Sequence, residues 1–163
     1  MSSMNVIRTR VAHMCGEISG VQTAFVNIPR AIQPAQCPAS VVFPGRATHS
    51  KTDLGEQLIH ETRTNKIVLY VDMAQFGVAG QTELETDPFF DSFLQHFAAR
   101  PGLELDAEGA HQSVSVLTAA LITDGGLQVG PYPLGSSTNP PPDFVQIQWD
   151  LEVEDIVNID YQD

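Results

Sequence analysis

The sequence predicts an α+β domain, with one antiparallel or mixed β-sheet and two main helices packed on one face, in the order α-β-β-α-β-β. Three observations carry that reading. Apolar residues recur at helical spacing near the start of the chain and again around residues 89–97. Residues 144–153 alternate strictly between apolar and polar side chains. The extended segments come in consecutive runs rather than alternating one by one with helices, which disfavours a parallel α/β sheet.

Residues 3–24 read as an amphipathic helix. Ile7, Val11, Met14, Ile18 and Val21 form a narrow apolar stripe, with Arg8 and Arg10 off it and Ser2 or Ser3 available as the cap. Gly16 and Gly20 each weaken a helix by about 1 kcal/mol relative to Ala, so this one needs packing against its stripe. The sharper alternative is a docking helix for a partner. Residues 27–39 are Pro-rich and read as an extended connector.

Ser40–Phe43 reads as a short strand that Pro44-Gly45 stops, and Leu58–Met73 as a long one. Together they make a β-hairpin whose exposed tip is a polar loop over about 44–62. Residues 74–85 read as a second loop. Thr86-Asp87-Pro88 then has the pattern of a helix start: a cap, an acid, and proline early. Phe89, Phe90, Phe93, Leu94 and Phe97 follow on one face, and Arg100-Pro101-Gly102 ends the helix. Four of the eight phenylalanines lie here, which makes it the central core helix rather than the wall of an aromatic cofactor pocket.

Residues 112–123 and 127–130 read as strands about a turn at Asp124-Gly125-Gly126. A Pro-rich loop covers about 131–143. On the last strand, Val145, Ile147, Trp149, Leu151 and Val153 point to the core, and Gln146, Gln148, Asp150, Glu152 and Glu154 make a polar, acidic face. At 163 residues the chain is one domain, 1–163, long enough to bury roughly 70% of its unfolded surface.

Charge divides the chain. Residues 1–100 hold all eight Lys and Arg against nine carboxylates; residues 101–163 hold eleven carboxylates and no basic residue. A segment of that sign cannot hold phosphates by counterion release, so it is read as repelling DNA or attracting a basic protein surface. No apolar run is long enough to span a bilayer, and the first residues have no apolar core of a secretory signal, so no membrane partner is expected. Cys15 and Cys37 read as reduced core thiols.

Chemistry-bearing patterns are missing. The five histidines form no HxH, HExxH or HxxxH pair, and there is no nucleophile elbow and no P-loop. The carboxylates Asp150, Glu152, Glu154 and Asp155 alternate along a strand and do not cage an ion as a Ca²⁺ loop does. No catalytic residue, metal or cofactor is expected.

The segments Gln36-Cys37-Pro38, Ser40-Val41-Val42-Phe43-Pro44-Gly45, Arg63 to Val71, Asp87 to Leu94, Arg100-Pro101-Gly102-Leu103 and Phe144 to Leu151 follow the N-terminal helix in an order that resembles the tail terminator (tail completion) proteins of long-tailed bacteriophages. The loop 131–143 and the acidic end are not matched. The resemblance implies a structural virion protein, assembled in the host cytoplasm and lying at the head-proximal end of the tail. It implies a homohexameric ring that caps the tail tube, ends tube polymerisation and contacts a head-completion or neck protein. The resemblance also implies that genomic DNA passes through the lumen without specific binding. A ring needs two complementary patches per subunit. The candidates are the hairpin residues Arg46, Lys51, Arg63 and Lys66, and the acids Asp150, Glu152 and Glu154, which either meet the neighbour's hairpin or line the lumen. Competing readings are another neck or head-completion connector, and a small cytoplasmic binding module or enzyme.

Overall fold

The computed structural model describes residues 4–51, 58–73, 82–105 and 117–158. The elements are α1 (Met4–Gly16), β1 (Thr23–Ala24), β2 (Ala39–Lys51), β3 (Leu58–Asp72), α2 (Thr82–Ala98), β4 (Leu117–Pro131) and β5 (Asp143–Asn158), with one 3₁₀ turn at Pro34–Gln36. The strands form one mixed sheet in the order β1-β2-β3-β5-β4. Only β1 runs parallel to its neighbour; the other pairs are antiparallel. Both helices pack on the same face, as the α+β reading expects.

The alternation on β3 and β5 builds the main core. Ile67, Leu69, Val71, Val145, Ile147, Trp149, Leu151 and Val153 are all buried against Ile7, Val11 and Met14 of α1 and Phe93 and Phe97 of α2. Trp149 is the centre of that layer. Its ring stacks on Phe93 at 4.0 Å and 10°, and Phe90 meets it edge-on at 5.6 Å. Arg10 donates from Nη1 to the Leu103 carbonyl at 2.9 Å, tying α1 to the turn after α2.

Several boundaries differ from expectation. The first helix ends at Gly16, not at residue 24. Its last turn tightens through Glu17 N–H to Met14 O and Ile18 N–H to Cys15 O, and Gly20 turns the chain at φ +94°. The freed residues Thr23 and Ala24 pair with Ala39 and Ser40 as β1. Pro44-Gly45 does not stop β2: residues 44–51 are strand rather than loop, and β3 runs from Leu58, where the long strand is expected to start. Pro44 still pairs in register with Asn65, and the ladder shifts register between Pro44 and Ala47, a bulge that directly follows the proline. Residues 52–57 lie outside the described region.

The second helix starts at Thr82, so Pro88 sits inside it rather than in its first turn. An interior proline forfeits one helical hydrogen bond. Burial of Phe93 and Phe97, with Phe89, Phe90 and Leu94 partly buried beside them, offsets that loss. Asp124-Gly125-Gly126 is not a hairpin turn. β4 runs straight through it, and the triplet is a bulge: Asp124 pairs with Trp149 and Gly126 with Gln148. Gly126 has φ +94°, and its N–H is held by Asp124 Oδ1 at 2.7 Å. The expected strand residues 112–116 lie outside the described region.

The Pro-rich segments are more than connectors. Ile32, Cys37 and Tyr132 pack with Ala39, Val41, Val68, Tyr70 and Phe144 as a second, smaller core on the sheet face away from the helices. Tyr132 meets Tyr70 edge-on at 5.3 Å and donates its hydroxyl to Pro29 O. Both cysteines are free and buried. Burial pushes the Cys15 thiol up to about 12, against a hydrogen bond with Ser40 that lowers it, and pushes Cys37 up to about 11.

Two variants test this packing. Phe93→Ala removes the ring under Trp149 and is expected to cost about 3–5 kcal/mol in urea unfolding. At Gly45 an added Cβ would run into the Thr64 carbonyl. Gly45→Ala is therefore expected to lower stability by about 1–3 kcal/mol and to shift the amide resonances of the hairpin in an NMR spectrum.

Candidate functional site

Alternation on β5 sends Phe144, Gln146, Gln148, Asp150, Glu152 and Glu154 to the face opposite the helices. The face is not uniformly polar and exposed, as expected from sequence; it has two halves. In the first, Phe144, Gln146 and Gln148 are buried under the Pro-rich segments. Gln146 Nε2 donates to Gly130 O and Pro131 O, both at 3.2 Å, and Gln148 Nε2 donates to Gln128 Oε1 at 3.2 Å. In the second half Asp150 and Glu152 are exposed and Glu154 is half-buried.

The register sets what surrounds each acid. Asp150 lies between Lys66 on β3 and Thr123 on β4, Glu152 between Thr64 and Leu121, and Glu154 between Thr62 and Ala119. Lys66, which the sequence placed on the basic hairpin, thus shares a face and a cross-strand row with Asp150 of the same chain. His60 Nε2 stands 3.8 Å from Glu154 Oε2, an ion pair when the ring is protonated.

The other predicted basic residues part company. Arg63 pairs in register with Val153, whose side chain is in the helix-side core, so it lies on the opposite face from the three acids. Its Nε donates to Glu61 Oε1 at 3.0 Å. Arg46 is exposed at the β2 bulge. Lys51 ends β2, and its side chain lies outside the described region. The structure therefore puts Lys66 on the face of Asp150, Glu152 and Glu154, in register with the first, engages Arg63 elsewhere, and leaves Arg46 on β2, towards the other edge of the sheet.

Sequence reasoning missed the cluster of His49, Glu61 and Arg63. His49 Nε2 is 2.9 Å from Glu61 Oε2, and the two residues are direct cross-strand partners. With about 44–62 read as a loop, no register linked them. Partial burial raises the Glu61 pKa, but the hydrogen bonds from Arg63 and His49 outweigh it and hold the carboxyl below its ordinary value.

Two concavities accompany these groups. One of about 330 Å³ sits on the acidic face, with Val68 and Tyr70 as its floor, Gln128, Gln146 and Gln148 along it and Lys66 among its walls. Another, of about 300 Å³, lies between the helix ends, where His96 Nε2 stands 3.4 Å from Glu17 Oε2 beside Ser92 and Arg100. Among the described residues no group of three His, Cys, Asp or Glu side chains is placed to hold a metal ion, and no helix is long and apolar enough to cross a membrane. The chemistry on view is that of charge and strand pairing. No protein-family model matches the sequence, and a search of curated proteins finds none similar to it.

The Glu61 cluster gives a pH prediction. Its lowered pKa stabilises the fold fully above the ordinary carboxylate range, near pH 4.3, and this is lost as pH falls through the lowered native value. Glu61→Gln is expected to cost about 1 kcal/mol or less near pH 7, because the cluster is partly solvated, with the difference from the parent chain closing in acid. Thermal melts of both chains between pH 7 and pH 2 check it.

Proposed function

We propose that the chain is a structural virion protein that forms a six-subunit ring on the end of the tail tube of a long-tailed bacteriophage. The ring stops tube polymerisation and joins the tail to the head through a neck or head-completion protein. Genomic DNA passes through its lumen without sequence-specific contact, and the protein performs no catalysis. In this reading it acts at the head-proximal end of the tail.

The observation that carries the reading is the separation of charge across the sheet. Exposed Asp150 and Glu152 lie on β5, beside the β4 edge, while exposed Arg46 lies on β2 at the other side. A closed ring needs two different patches that complement each other, and opposite charge at the two sides of the sheet supports that reading. The segments that resemble the tail terminators support it further. Four of them lie on β2, β3, α2 and β5, and the other two flank β2 and α2. Arg63 is engaged by Glu61 and Lys66 lies in register with Asp150 of its own chain, so exposed Arg46 is the hairpin cation best placed to meet a neighbour's acids.

A different neck component would share the ring and differ in its target. The purified protein, added to tail tubes still growing from tail-tube subunits and separately to DNA-filled heads, is expected to cap the tubes and arrest their growth. Binding to filled heads alone assigns it to the head side instead. The triple variant Asp150→Lys, Glu152→Lys, Glu154→Lys is expected to lose ring formation in low salt, read by electron microscopy and native mass spectrometry. Normal rings from that variant sink the intersubunit role of the acids and leave them to the lumen.

A further inference from the structure

We infer that β4 is the strand through which one copy of this chain adds to the next, docking along the outer edge of the neighbour's β2 over residues 46–51 so that the sheet continues between subunits. The inference deepens the ring reading above and rests on it only for the closure of the ring.

β4 is an edge. It pairs with β5 on one side and, among the described residues, with no strand on the other. An edge of that length presents a row of backbone donors and acceptors that another strand can use. The usual protections against such addition are charge, proline, bulges and burial, and β4 has two of them at one place, the Asp124 carboxylate and the bulge at 124–126. From Leu121 to Gly130 there is no Lys, Arg or Pro. Instead the edge exposes Leu121 at 62%, Leu127 at 44% and Val129 at 54%. Leu121 shares a row with Glu152 on the acidic face, while Leu127 and Val129 share rows with Ile147 and Val145 on the helix side. Apolar contact is therefore on offer on both faces of the same edge.

Charge selects the occupant. Two β4 strands side by side would bring Asp124, Asp150 and Glu152 of one copy towards the same residues of the other, with no basic residue anywhere in 101–163 to offset them. The opposite edge of the sheet is complementary. β1 and the Phe25 N–H, which donates to Ser40 O, cover β2 only at its start. Pro44 and its bulge blunt the middle of that edge. What remains is residues 46–51, about the length of an ordinary strand, with Arg46 and Lys51 at its ends. Pairing β4 with that segment is heterologous, so it propagates around a ring when the rotation closes.

Two variants each leave one edge intact. Leu127→Lys with Val129→Lys blocks β4, and Arg46→Glu with Ser50→Glu makes the β2 edge repel it. In sedimentation velocity and native mass spectrometry each variant alone is expected to self-associate about tenfold or more weakly than the parent chain, whereas an equimolar mixture forms a complex that holds equal numbers of both. That complex also shows that both variants are folded. The inference is overturned if the mixture stays monomeric, if the β2-edge variant associates as well as the parent, or if the parent chain is monomeric at millimolar concentration. A one-to-one complex from a chain that caps no tubes sustains the edge pairing and removes the tail reading. Capped tubes with no such complex do the reverse.

Discussion

The pairing of β3 with β5 is the constraint on which the rest of the molecule depends. It runs without a register shift from Leu58 opposite Asn158 to Asp72 opposite Phe144. Because side chains alternate, a slip of one residue would exchange the two faces. Trp149, now stacked on Phe93 beneath α2, would turn to the open face, and Asp150 and Glu152 would turn into the helix-side core. Burying those carboxylates without partners is far costlier than any contact the slip would gain. The apolar row thus fixes where the acids go, and the acidic surface is a consequence of the core.

The two sides of the sheet are managed differently. The helix side is closed by one continuous apolar layer. On the other side, cover extends only as far as the Pro-rich segments reach, and ends between Gln148 and Asp150. There the strand changes from amides bonded within the fold to carboxylates left in water. Within one chain those carboxylates are only partly offset, by Lys66 across from Asp150 and His60 near Glu154. The residual negative field lies beside β4, an edge strand of the sheet.

Fold class and core were legible in the sequence because periodicity reports burial directly. The rows Ile67-Leu69-Val71 and Val145 to Val153 read true, as did the Phe stripe of α2. What was not legible was continuity. Pro44-Gly45 and Asp124-Gly125-Gly126 have the composition of chain stops, yet both are bulges, because a partner strand on β3 or β5 holds the ladder on either side. A local signal cannot report a partner far away in sequence. The same blindness hid the His49–Glu61–Arg63 cluster and placed the start of α2 at Thr86. For the candidate surface, the acids were visible as a row on one strand, but which cations face them depends on register. Lys66 joined them and Arg63 did not.

The sheet order has a consequence for synthesis. β5 lies between β3 and β4, yet it is made after both of them. Until it emerges from the ribosome, β3 lacks one neighbour and β4 has none, and the helices have only half a layer to cover. Contacts this distant in sequence form late and slowly. A nascent chain that has reached β4 therefore carries an apolar strand with no sheet to belong to, and neighbouring ribosomes on one message would hold such strands close together. The acids of β5 arrive with the strand that ends this exposure, so the negative surface and the finished sheet appear in the same step.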